Sequence, residues 1–200
     1  MKTTVVLALT AFIFLGSLSS ALAKENDIGQ SQIHPAHPFY FLKTIRENLE
    51  MSMALTPRVR LIRQLEFATR RLRETKALLN NNRQDLIEPT LERYWFHISK
   101  LPDQDLKDEE LVLRIKESLV IHLKTLDTIY SRLSDPGAKR AVRSTLNRIV
   151  NRADIPISAR LPVCNFLAKE ASTSADLNET EKAILLERSK NCFQRLHTNL

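Results

Sequence analysis

Glycine restricts this chain most, by being nearly missing from it. Gly16, Gly29 and Gly137 are the only three in 200 residues, where average usage would supply about fourteen. Phosphate-cradling loops, tight hairpin turns and collagen all draw on glycine's freedom at positive φ or at close approach. Those architectures are disfavoured from the start. The apolar fraction of 43% is too rich for a disordered chain, so a core must be buried by elements that do without glycine. Helices meet that condition.

Prolines and capping residues mark where the helices begin. Pro38 opens a first helix with the apolar stripe Leu42, Ile45, Leu49 and Met53. Thr56-Pro57 sets a capping hydroxyl before a proline at the first helical position, and Leu61, Leu65, Ala68, Leu72 and Leu79 follow on one face. Asn80-Asn81-Asn82 ends that long helix. Asp85 with Glu88 reads as a capping pair for a third, carrying Ile87, Leu91, Tyr94, Ile98 and Leu101, with Pro89 in its first turn or kinking it. The acids Asp105, Asp108, Glu109 and Glu110 crowd the start of a fourth, whose stripe runs from Leu111 through Ile115, Leu119, His122, Leu126 and Ile129 to Leu133. Asp135-Pro136 starts a fifth through about Ala153, with Val142, Leu146 and Ile149 inward. Pro156 and Ser158 introduce a sixth, and Asn178 with Glu181 caps a seventh that runs to about Leu196. Sustained period-two alternation is missing. The expected fold is all-α, a bundle of six or seven mostly antiparallel helices, since the connections are short.

The first residues carry an export pattern. Met1-Lys2 is basic, Val5 to Leu15 is apolar except for Thr10, and Ala21-Leu22-Ala23 offers a small-x-small cleavage site. The run falls short of the ~20 residues that span a bilayer, so cleavage after Ala23 and export to the cell envelope or exterior are expected. The formal charge of +7 drops by one once Lys2 leaves with the leader. The chain then divides into a leader (1–23), a loose polar arm (24–32), a helical domain (33–155) and a C-terminal helical hairpin packed on it (156–200). Cys164 and Cys192 lie on facing sides of that hairpin, and an exported chain with two cysteines has one possible internal bridge. Their unequal distances from the turn require an uneven connection, because the Cα atoms must come within ~7 Å.

Recognised chemistry is sparse. The sequence holds no glycine-rich phosphate loop, H-E-x-x-H, C-x-x-C or G-x-S-x-G, so no catalytic residue, cofactor or metal is expected and the chain reads as a non-enzyme. His34 and His37 flank Pro35 at a spacing that would pinch a metal, but the reading preferred for them is a loop that docks the first helix. His122, on an apolar stripe, reads as a hydrogen-bonded interior histidine. Tyr94-Trp95-Phe96 point different ways on a helix, one or two inward and one out. Arg70 with Glu66 and Glu74 at i, i+4 reads as a salt-bridged solvated face.

The fifth helix is more one-sided. Lys139, Arg140, Arg143, Arg148 and Arg152 have no acid among them. They form either a solvated face or candidate contacts to an anionic polymer or lipid. Nucleic acid is not an expected partner of an exported chain.

The stretch Ile33-His34-Pro35-Ala36-His37-Pro38-Phe39-Tyr40-Phe41-Leu42-Lys43 resembles the opening motif of a bacterial family known only as domain of unknown function 5667. Ile33, Pro35, Pro38, Phe39, Tyr40, Leu42 and Lys43 fit that motif, Thr56-Pro57 supplies its capped proline, and Leu65, Ala68, Arg71, Leu72 and Glu74 fit its long helix. The likeness covers about residues 33 to 101, and Arg58 and Arg70 stand where the family tends to be acidic. It implies an exported helical protein and brings no reaction. Physically, the prolines stiffen the approach and at least two of Phe39, Tyr40 and Phe41 should staple the first helix onto the second. The functional expectation is a binding or structural module acting through a helical surface on another protein. The rivals are a polyanion binder and, more remotely, an all-α enzyme holding a small anionic substrate with scattered Arg and Glu.

Overall fold

A computed structural model describes residues 28–197; the leader and the first part of the arm lie outside the described residues. Among those described there are seven α-helices and one 3-10 turn, with no strand: α1 (Tyr40–Ser52), α2 (Pro57–Asn80), the turn Gln84–Leu86, α3 (Ile87–Ile98), α4 (Glu109–Tyr130), α5 (Pro136–Val150), α6 (Ile157–Thr173) and α7 (Glu179–His197). None of these helices is long and apolar enough to cross a membrane.

Local chemistry sets most boundaries. The Thr56, Asp108 and Asp135 side chains each accept from a backbone N–H in the first turn of α2, α4 and α5, with Pro57 and Pro136 at first helical positions where no N–H is needed. α2 ends on Asn82 in the left-handed region at φ 55°. Arg83 N–H donates to Leu78 O (2.8 Å) and Asn82 N–H to Leu79 O (3.1 Å), the paired bonds of a Schellman stop.

One expected cap differs. The α3 N-cap is Leu86, without a side-chain bond, because Asp85 is bound to Arg83 in the preceding turn (2.9 and 2.8 Å). Pro89 sits in the first turn of α3 and interrupts no helical bond. At α4, Asp105 lies ahead of the helix and takes no part in its cap; Asp108 does.

One apolar cluster runs from Ile28 to Cys192 and takes in α2 through α7. Leu72, Leu78, Ile87, Leu91, Leu119, Val142 and Leu167 are fully buried in it, so the C-terminal hairpin shares the core of the helical domain. Arg160, buried at the base of α6, donates to Arg152 O (2.9 Å), Ile155 O and Arg195 O, tying the hairpin to the end of α5. Cys164 and Cys192 form a disulfide with Cα atoms 5.5 Å apart. Ser174 is extended where α6 ends and Leu177 is buried, so the connection runs past the end of α6 before α7 turns back, supplying the uneven length the bridge needs.

The arm is less loose than its composition suggests over residues 28–32. Ile28 is buried, its carbonyl accepts from Arg73 Nε, Ser31 N–H bonds Arg73 O (3.3 Å) and Gln30 bonds Asn80 (2.9 Å). Backbone bonding to α2 overrides the polar composition.

Candidate functional site

The largest departure from the periodicity lies in α1. Leu42, Ile45, Leu49 and Met53, the stripe a helix normally buries, are 52%, 60%, 58% and 69% exposed, and Phe39, Phe41 and Leu55 stand out beside them. α1 turns the opposite face to α2. Tyr40, Lys43, Glu47 and Glu50 recur at steps of 3, 4 and 3 along it, one side of a helix. Of the three aromatic rings, at least two of which are expected to staple α1, only Tyr40 does so; Phe39 and Phe41 point to solvent because their positions fall outside that polar face.

α2 answers with Arg70, Arg71 and Glu74. Glu74 has no exposed surface and sits at the centre. Arg71 Nη1 donates to both of its oxygens at 2.7 Å, Lys43 Nζ approaches at 2.6 Å and the Tyr40 hydroxyl donates at 3.1 Å. Arg71 also pairs with Glu47 and donates to the Tyr40 oxygen, which accepts from Arg93 of α3 as well (2.8 Å). Arg70 reaches Glu50 at 2.7 Å. Lys43 additionally donates to Ser31 Oγ and Ile33 O, holding the arm to the same point.

This clasp corrects the reading of Arg70 and Glu74 as part of a solvated face. Glu74 points inward because α2 carries a second buried row, Phe67, Arg71, Glu74 and Leu78, at steps of 4, 3 and 4. The regular 4-3-4 spacing was the available signal; the ionic residues in it masked the row.

The electrostatics suit a closed joint. Burial, reinforced by Glu74, pushes the Tyr40 hydroxyl up to about 12, so it remains a donor. Burial opposes the Arg71 charge, but Glu74 and Glu47 outweigh it and hold the guanidinium above its ordinary range. Burial draws Lys43 down against the pull of Glu74. Every charged group is committed to another, and what the arrangement does is fix α1 with its apolar side outward.

The other singled-out residues fall elsewhere. His122 is buried between Thr69 and Tyr94. Thr69 gives its hydroxyl hydrogen to Leu65 O, so Nε2 donates to Thr69 and Nδ1 accepts from Tyr94. Burial pushes this imidazole down to about 3. His34 and His37 Nδ1 accept local backbone bonds from Ala36 and Phe39. Tyr94 is buried, Trp95 half-buried under Arg148, and Phe96 exposed beneath Lys100.

The five cations of α5 and its C-terminal end are scattered among partners inside the fold. Lys139 pairs with Asp176 (2.5 Å), Arg140 with Glu181 (2.7 Å) and Arg148 with Glu92 (2.9 Å). Arg143 and Arg152 are buried, the first against Tyr130 and Glu170, the second on Asp154 and the Ile98, Leu101 and Pro102 carbonyls. Grooves adjoin these helices, two of them with an apolar floor or a basic border. One of about 340 Å³ lies between α4 and α6, floored by Leu123, Leu146 and Phe166. The other, about 240 Å³, is bordered by Arg140, Arg143 and Arg188, but two of those three are already paired with carboxylates.

Together these features define a helical protein in which buried ion pairs hold the first helix with its apolar face in solvent. The chain belongs to the family described as domain of unknown function 5667, whose profile matches residues 32–136. That span contains the clasp and reaches the first residue of α5, well past the stretch that resembled the family by motif. No curated protein and no solved structure matches the chain.

Proposed function

We propose that this chain is a non-catalytic binding or structural module of the cell envelope or exterior, working by docking another protein on the outer face of α1. The observation that carries the reading is the exposed stripe Leu42, Ile45, Leu49 and Met53 on a helix whose polar side is locked to α2. A contiguous apolar surface of that size on a folded protein marks an interaction site. Contact with an anionic polymer has less support, since the α5 cations are already neutralised in pairs. Export rests on the leader pattern, and the mature N-terminus is expected at Lys24.

A photo-reactive residue placed at Ile45 in producing cells tests the reading. Covalent adducts with protein are expected there and not from Leu113, which is equally exposed on α4. Ile45 labelling no greater than Leu113 labelling would sink it.

A further inference from the structure

The partner on the outer face of α1, we infer, is a second copy of this chain, with the two α1 helices packed against each other across a two-fold axis. The inference rests on the docking reading above and names its occupant. Eight apolar side chains from Phe39 to Val59, each between 38% and 83% exposed, bare on the order of 900 Å² together. This exceeds the ~300–600 Å² of the largest patch on an ordinary monomer and is comparable to the ~800 Å² that each partner contributes to a standard interface. The area is therefore what a stable dimer needs.

Spacing points the same way. Leu42, Ile45, Leu49 and Met53 fall at steps of 3, 4 and 4, a seam that interlocks with another helix of like pattern. The same patch meeting itself closes at two copies instead of growing into a filament.

Charge around the patch separates this occupant from a bilayer. A helix lying on anionic lipid keeps unbalanced Lys and Arg along its edge. Here most of the rim is neutralised internally: Arg46 with Glu50 (2.9 Å), Arg58 with Asp108 (3.3 Å) and Glu110 (2.5 Å), and Arg63 with Glu66 (2.6 Å), while Arg60 donates to the Ala54 carbonyl (2.9 Å). Two such rims, each carrying one cation beyond its ion pairs, meet with little net repulsion. The clasp presents the seam already ordered, which lowers the conformational cost of pairing.

Light scattering on the purified chain at tens of micromolar tests the inference. The expected mass is twice that of one chain. Replacing Leu42, Ile45 and Leu49 together by Ser should give the mass of a single chain, with an unchanged helical circular dichroism spectrum because all three side chains are exposed. Since both native cysteines are in the disulfide, Ile45→Cys adds one free thiol. Mild oxidation should link it into a covalent dimer, whereas Leu113→Cys should not link.

A single-chain mass for the wild type overturns the inference, as does a dimer that survives the triple substitution. A single-chain mass with Ile45 adducts to a different protein overturns only the choice of occupant and leaves the docking reading standing. Single-chain protein that sediments with phosphatidylglycerol vesicles through the same three residues overturns it in favour of a lipid surface.

Discussion

Glu74 joins three elements through one carboxylate: Lys43 and Tyr40 from α1, Arg71 from its own helix, and through Tyr40 also Arg93 of α3. Removing its charge leaves Lys43 without a carboxylate and Arg71 with Glu47 alone in a low-dielectric site, which costs about 3–5 kcal/mol where a buried pair is broken. Glu74→Gln is therefore expected to lower the urea midpoint severely. Arg83→Gln, which breaks an exposed pair with Asp85, should leave the midpoint almost unchanged, since solvent screens such a pair. Equal effects would contradict the central place of Glu74.

His122 gives a pH signature. Its ordinary value is 6.5 and burial brings it to about 3 in the fold, so the unfolded chain binds more protons between those limits. Stability is then complete above about pH 6.5 and falls as pH drops toward 3, by ~1.4 kcal/mol per unit. His97, brought to about 4 by burial, acts in the same direction. Urea unfolding at pH 7.5 and 5 should show the loss, and His122→Gln should make it shallower; a flat profile in the wild type would contradict the assignment.

Elements here stop and join by local devices whose strength is measurable. Asn82 holds the left-handed position that closes α2, a conformation costing a residue with a Cβ about 1–2 kcal/mol and glycine almost nothing. Asn82→Gly is expected to raise the melting temperature slightly and Asn82→Ala to lower it; the reverse order would argue that side-chain bonds outweigh backbone conformation there. The α6–α7 hairpin relies on a different device. The Cys164–Cys192 bridge spans 28 residues of sequence, for which the chain-entropy model gives ~3–4 kcal/mol. Paired Cys164→Ser and Cys192→Ser substitutions should reduce stability by that order, read from denaturant midpoints with and without reductant. An unchanged midpoint on reducing the wild type would show that packing of Leu167 and Leu185 alone holds the hairpin.

Across the whole molecule, the continuous core predicts cooperative unfolding. The cluster that includes Leu65 and Leu91 also contains Leu146, Leu167 and Cys192, and Arg160 bridges the boundary near residue 155. Calorimetry should show one transition for the helical domain and hairpin together. Two separated transitions would mean that the hairpin is a unit of its own.

The sequence alone determined the helical class, nearly all the helix starts, the cysteine pair and the family likeness. Those depend on near neighbours: a hydroxyl or carboxylate before a free N–H, a proline where no donor is needed, apolar residues a turn apart. It also identified Tyr40, Lys43, Arg71 and Glu74 as fitting a family motif without revealing that they meet. Only the tertiary structure decided which side of α1 faces inward. Periodicity shows that a helix has an apolar side and a polar side, and ordinarily the apolar side is buried. Here α2 presents Arg70, Arg71 and Glu74 to α1, and charges buried together must be matched by charge. That matching lies 20 to 34 residues away in sequence, beyond any local pattern, and it is what leaves Leu42, Ile45, Leu49 and Met53 in the solvent.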